Sequence, residues 1–273
     1  MARDREPRAL AGSCAHSTLT LETLTPFLRE LAHSSGEVVL RHFANTDLKV
    51  DTKTDATPVT AADRAAEGVL RRLIAARFPG HGVLGEEYGE DRPDAEFVWV
   101  VDPIDGTRAF VAGCPLFGTL VALLHGGQPV VGAVHLPVLG RLFLGDGRSA
   151  TCNGRPVRVR TGVPLGQAMV LLTDPLSPAR HQPGEGFQRL LGVCGEVRTW
   201  GDCFGYTLVV AGAAQCMLDP IMNPWDIAAL VPVVRGAGGA VTDWQGRAPW
   251  PARSTVAAAP DLHARIIAIL NGL

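Results

Sequence analysis

The sequence predicts a layered α/β fold, and three observations carry that expectation. The second half alternates short apolar runs with helical stretches, the pattern of a sheet covered by helices. The first half sets two amphipathic helical stripes beside strands closed by glycine turns. Gly 31 and Pro 20 make up about a fifth of the 273 residues, above the usual share of about 12%, so the chain turns often and packs backbone closely. Hydrophobic residues at 47% against 19% charged supply a real core and argue against disorder or coiled coil.

Taken in order, residues 1–20 are polar and aperiodic and are expected to be a flexible tail. Over 21–43, Leu24, Phe27, Leu28, Leu31, Val38 and Val39 recur mostly at three- and four-residue steps, predicting a helix with one buried stripe and a bend at Gly36. Residues 60–78 predict a second helix, with Ala62, Ala66, Val69, Leu70, Leu73 and Ile74 on its apolar face and Pro79-Gly80 as its stop. Residues 81–84 and 97–101 read as strands, the second stopped by Asp102-Pro103. Residues 119–124 and 129–135 flank Gly126-Gly127 and predict a hairpin, with a further strand over 141–144. Turn chemistry at Gly154 and over 162–164 marks a change of domain, dividing 21–160 from 161–273. The second half reads as strand 169–172, helices 187–191 and 204–214, strand 216–218, helix 225–235, strands 240–243 and 255–258, and helix 262–270.

Composition removes several function classes. Lys+Arg 25 against Asp+Glu 27 leaves a net charge of −2, with no basic surface for nucleic acid. No apolar run reaches the ~18 residues of a membrane span. The first residues, with Arg3, Asp4, Arg5, Glu6 and Arg8, lead into no apolar segment, so no secretory signal is expected. Cys14, Cys114, Cys152, Cys194, Cys203 and Cys216 are scattered without a Cys-x-x-Cys pair, which disfavours a disulfide framework or a zinc site. The expectation is a soluble cytoplasmic protein with reduced thiols.

Chemistry concentrates in Trp99-Val-Val-Asp102-Pro103-Ile104-Asp105-Gly106-Thr107. An apolar strand ends in two carboxylates three residues apart, which are costly neighbours unless a cation neutralises them. Hard oxygen donors of this kind suit Mg²⁺, and backbone amides at Gly106 and Thr107 suit a phosphate. An acidic turn capped by Thr107 explains this stretch equally well. Three further acidic element ends shift the balance: Gly85-Glu86-Glu87 after a short strand, Asp63 in a helix's first turn, and Asp226 after Pro224-Trp225. Each alone reads as a dipole charge or a cap. Four in order read as an oxygen-ligand site for more than one metal ion.

These segments, with Trp225-Asp226-Ile-Ala-Ala through Gly236-Ala-Gly-Gly239, resemble the inositol-monophosphatase superfamily of Mg²⁺-dependent phosphomonoesterases. The resemblance covers all but the first ~20 residues and implies an α/β/α/β/α sandwich of the sugar-phosphatase type, with metals between two halves. It implies that Glu86, Asp102 and the Ile104 carbonyl hold one Mg²⁺, that Asp102, Asp105 and Asp226 hold a second, and that Glu86 helps with a third. Two to three ions per subunit follow, with Mn²⁺ able to substitute. Thr107, hydrogen-bonded to Asp63, would activate water for in-line displacement, and the Gly106 and Thr107 amides would bind phosphate oxygens. Lys53 stands near a family lysine position, and a homodimer is implied.

Within the superfamily, Gly113-Cys-Pro115-Leu-Phe117-Gly118-Thr119-Leu120 and Trp200-Gly201-Asp202-Cys-Phe204-Gly205-Tyr206 look like the histidinol-phosphate phosphatase branch. Asp202 and Asp219 are then candidates to bind the cationic amine or ring of that small phosphate ester. Asp202 equally reads as the cap of the helix near Phe204, and Asp219-Pro220 as a turn. Inositol 1-phosphate is the alternative substrate.

Overall fold

The computed structural model describes residues 19–43, 50–52 and 58–273. The expected tail up to residue 18 and Lys53 lie outside the described residues.

The chain opens with α1 (Leu21–His42), capped by reciprocal hydrogen bonds between Thr20 and Thr23. Strands β1 (Val50–Thr52) and β2 (Pro58–Thr60) form a small antiparallel ladder that leads into α2 (Ala61–Arg77). Then follow β3 (Gly82–Gly85), β4 (Gly89–Asp91), β5 (Phe97–Asp105) and the short α3 (Thr107–Val111). Strands β6 (Gly118–His125) and β7 (Gln128–Leu136) are the expected hairpin, with Gly126 and Gly127 both at positive φ as a tight turn requires. Strands β8 (Arg141–Gly145), β9 (Ala150–Cys152) and β10 (Arg155–Pro156) complete a sheet of order β10-β9-β8-β7-β6-β5-β3-β4.

The second sheet starts with β11 (Met169–Leu172), after which α4 (Ser177–His181) and α5 (Gly184–Leu191) lead to β12 (Glu196–Arg198). Helix α6 (Asp202–Val210) precedes β13 (Cys216–Asp219), and α7 (Pro224–Ala228) with α8 (Leu230–Gly236) precede β14 (Ala240–Thr242), β15 (Thr255–Ala258) and α9 (Pro260–Asn271). The sheet order is β12-β11-β13-β15-β14.

Strand alternation sorts the core into layers. From β5 and β6, Trp99, Val101, Val121 and Leu123 face Leu24, Phe27, Leu28, Leu31, Leu70 and Ile74 of α1 and α2. Val98, Val100, Leu120, Ala122 and Leu124 face the other way, onto α6, α7 and α8 through Cys203, Tyr206, Ile227 and Leu230. The same cluster reaches Leu171, Met217 and Ala257 of the second sheet. That sheet's opposite face, with Val170, Leu172, Leu218 and Val256, is covered by Phe187 and Leu190 of α5 and Leu262, Ile266 and Leu270 of α9. The result is helix, sheet, helix, sheet, helix, as expected. Among the described residues, no helix is long and apolar enough to cross a membrane.

Two helices differ from expectation. The stretch 225–235 is split into α7 and α8 at Ala229, because Pro232 has no N–H for the carbonyl four residues earlier. The expected helix over 204–214 starts earlier, at Asp202, and ends before Gly212, which takes a positive φ. Helix α1 runs through Gly36, where the His135 ring packs so closely that a Cβ would come within 2.6 Å of its Cε1.

Candidate active site

The bulge that ends β5 builds the centre of the site. Its pairing with β6 shifts register between Asp102 and Asp105, and Pro103 stands in the shift. Gly106 follows at φ +89, a left-handed turn where a Cβ would press on the Leu116 carbonyl and the Asp202 carboxylate at 3.1 and 3.2 Å. Asp226 arrives from the first turn of α7. Asp102, Asp105 and Asp226 each offer a carboxylate oxygen within 4.8 Å of the others, among the described residues the group suited to hold a metal ion. Glu86, at the end of β3, lines the same cleft of about 530 Å³, together with Ile104, Gly106, Thr107 and Asp202.

Four of the carboxylates are anchored through backbone amides. Asp102 Oδ1 accepts from Ile104 N at 2.9 Å, and Asp105 Oδ2 accepts from Cys203 N. Asp226 Oδ2 accepts from Asn223 N at 2.7 Å, and Asp63 Oδ2 accepts from Thr60 N at 2.8 Å and Thr60 Oγ1 at 2.7 Å. The caps themselves are Thr60 and Asn223. Asp63 and Asp226 stand third in their helices, in the first turn where the dipole favours a negative charge, and complete capping boxes. Asp226 is therefore not the N-cap expected, and both acids still belong to the acidic neighbourhood.

Electrostatics fit that crowding. Burial raises the proton affinity of Asp102, and the charges of Glu86, Asp105 and Asp226 raise it further. Asp105 is raised by burial and then by Asp202 and Asp226. Burial also lifts the pKa of Asp226 to about 8 and that of Asp63 to about 6.

The Thr107 hydroxyl donates to the Ile104 carbonyl at 3.0 Å and not to Asp63, whose described hydrogen bonds go to Thr60. This corrects the expected Thr107–Asp63 pairing: Thr107 opens α3, and its hydroxyl donates to the carbonyl three residues back. Asp202 does not cap α6. It is that helix's first residue, at φ +51, and Gly201 holds the cap position. Its amide donates to Thr173 Oγ1 at 2.9 Å, and burial, followed by the Asp219 charge, raises its carboxyl to about 7 against an opposing pull from Arg108. Asp219 accepts from Thr173 Oγ1 at 2.7 Å and from the Tyr206 hydroxyl at 2.9 Å. Asp202 and Asp219 line a smaller cavity of about 130 Å³ with Asp105, Asp226, Asp174 and Ile221.

Two cleft residues escaped sequence reasoning, Arg108 and Thr173. Arg108 brings a cation to the cleft wall beside Arg180, which the sequence offers as a phosphate or substrate contact without geometry, and Thr173 ties Asp202 to Asp219. Arg108 directly follows the acidic motif and could have been found there. Thr173 lies 29 residues before Asp202, and only the fold joins them.

The inositol monophosphatase family profile matches residues 20–273. A histidinol-phosphatase of Chlorobaculum parvum is 41% identical over 231 residues, covering 82% of this chain and 88% of that protein. A histidinol-phosphatase of Mycobacterium tuberculosis is 40% identical over 247 residues, covering 88% and 95%. An inositol monophosphatase from Zymomonas mobilis superposes with a TM-score of 0.83 at 32% identity, covering 93% of this chain and 99% of that one. Layered fold, acid-walled cleft and relatives together define a phosphatase. The chain belongs to the inositol monophosphatase family.

Proposed function

We infer that this phosphatase hydrolyses L-histidinol phosphate to L-histidinol and phosphate, with divalent cations held in the acidic cleft. One observation carries the substrate: Asp202 and Asp219 stand in the small cavity beside the carboxylate trio, two acids beyond those a cation site needs. A wall of that charge suits an ammonium and an imidazole better than a ring of neutral hydroxyls. Two similar proteins that carry the name histidinol-phosphatase support the same reading.

The donor set fits Mg²⁺. Asp102, Asp105 and Asp226 are hard oxygen donors close enough to share a cation, and the mutual repulsion that raises their proton affinity is what a cation relieves. Glu86, Asp102 and the Ile104 carbonyl would hold one ion, Asp102, Asp105 and Asp226 another, and Glu86 would help with a third; Mn²⁺ would substitute. Bound there, the metal neutralises phosphate charge and acidifies water.

The chain's own residues do the rest. Thr107 orients the attacking water, and Asp63, with a pKa of about 6, accepts a proton near neutral pH. Turning the Thr107 hydroxyl away from the Ile104 carbonyl would free it to hold the attacking water. The Gly106 and Thr107 amides face the phosphate, and Asp202 pairs with the substrate amine, with Asp219 behind it on Thr173. The setting is a cytoplasmic biosynthetic one.

A panel of histidinol phosphate, inositol 1-phosphate, fructose 1,6-bisphosphate and 3′-phosphoadenosine 5′-phosphate tests the assignment. Preference for histidinol phosphate by kcat/KM is expected. Preference for inositol 1-phosphate promotes the second reading, which the Zymomonas mobilis inositol monophosphatase favours. Asp202→Asn should lower kcat/KM for histidinol phosphate by ~10- to 100-fold, the worth of one desolvated charge-assisted hydrogen bond, and spare p-nitrophenyl phosphate. Equal losses on both substrates would remove Asp202 from specificity.

A further inference from the structure

We propose that Glu67, on α2 and outside the cleft, is a positioning residue that fixes where Glu86 stands and so how tightly the cleft holds a divalent cation. This rests on the reading of the cleft as a metal site.

Glu67 is 0% exposed, and a buried carboxylate survives only when its oxygens are hydrogen-bonded and its charge is paired. Its partners are specific. Oε2 accepts from Glu87 N at 2.7 Å, and Oε1 accepts from Tyr88 N at 3.2 Å and Arg71 Nε at 2.8 Å. The two amides belong to the residues directly after Glu86. Arg71 also donates to the Gly89 carbonyl and lies over the Tyr88 ring, 5.9 Å from its centroid. The Tyr88 hydroxyl returns to the Arg64 carbonyl at 3.3 Å. Arg64, Glu67 and Arg71 are three and four residues apart and share one helix face, so that face of α2 grips the turn from Glu87 to Gly89. Gly85 makes the approach possible, because a Cβ there would overlap Glu67 Oε1.

The grip has a mechanical task. Glu86 and Asp102 line the same cleft, and Glu86 stands on the turn whose next two amides Glu67 holds. Glu67 fixes the turn's backbone through those two amides and through Arg71. Helix α2 also carries Asp63, one helical turn before Glu67, so a single rigid element sets Asp63 relative to Glu86. A carboxylate kept in place before the cation arrives binds it without first being ordered.

Glu67→Gln keeps the size but turns an N–H₂ toward an amide donor. Calorimetric titration of the full-length variant with Mg²⁺ and with Mn²⁺, well below its Tm, should show ~10- to 100-fold weaker binding than the parent. The Mg²⁺ needed for half-maximal activity should rise by the same factor, with kcat at saturating Mg²⁺ within about threefold of the parent. Leu190→Ala, a cavity in the core beneath α5, should lower Tm and leave cation binding unchanged, which separates positioning from general destabilisation. Arg71→Met keeps both amide bonds and should weaken binding less, in the same direction; it carries the test if Glu67→Gln does not fold. A parent that binds the cation while Glu67→Gln, or failing that Arg71→Met, binds it equally well overturns the proposal alone. A parent that binds neither cation overturns the metal reading as well.

Discussion

At the scale of single residues, Asp102, Asp105 and Asp226 are each anchored by a backbone amide and still reach the shared centre. Asp102-Pro-x-Asp105 was legible in the sequence because both acids and the proline that bends the strand lie within four residues. The anchors were less so. The Cys203 amide on Asp105 crosses 98 residues, and the left-handed conformation of Asp202 follows from its packing against Thr173. Thr107 was legible as a residue of the cleft, whereas its bond to the Ile104 carbonyl appears only once α3 is built. If Thr107 orients the water, Thr107→Ala should lower kcat by ~10²–10⁴-fold and barely move KM, because the loss falls on the transition state. A fall below about threefold would show that water needs no help from this hydroxyl. Asp102→Asn should stay folded, keep the Ile104 amide bond through its remaining oxygen, and lose cation binding and most activity. Full activity in EDTA would sink the metal assignment.

At the scale of elements, long periodic segments were read well and short edge strands were not. Helices α1 and α2 and the β6–β7 hairpin follow from apolar spacing and paired glycines. Strands β4, β10 and β12 have two or three residues with little apolar content, and pairing alone makes them strands. The start of α2 joins element to chemistry. Thr60 Oγ1 accepts from Ala62 N at 3.1 Å while donating to Asp63, so it caps the helix and holds the carboxylate at once. Thr60→Ala should cost about 1 kcal/mol of stability. The lost hydrogen bond had favoured the ionised Asp63, so its pKa should climb above about 6, and the acid limb of kcat/KM should move to higher pH. An unmoved acid limb would separate Asp63 from the proton transfer.

At the scale of the molecule, the five layers were legible from alternation and resemblance, but the burial of so much negative charge between the sheets was not. Two partners are open to test. Trp200, Val193 and Leu176 are exposed apolar residues, and if a second copy pairs with this chain, light scattering should give twice 28.9 kDa at micromolar concentration; a monomer mass would exclude the dimer. The other partner is the cation, and pH reveals it. Asp202 and Asp226 hold protons up to about pH 7 and 8 in the folded chain, against an ordinary 3.8. The folded state therefore binds more protons than the unfolded one, and this contribution to stability is lost as pH rises through those values. His135, lowered to about 4, works in the opposite sense, gaining stability up to its ordinary 6.5. His81 and His263 are also lowered and act the same way. Above about pH 7 the histidines are spent in both states and only the acids remain. Metal-free protein should thus lose Tm between about pH 7 and 8.5, while Mg²⁺ should restore it by an amount that widens with pH, because a cation competes with those protons. Asp226→Asn should flatten the slope and abolish the Mg²⁺ response together. A Tm in EDTA that rises across this window, or a Mg²⁺ increment independent of pH, would mean the buried acids are not what the cation meets.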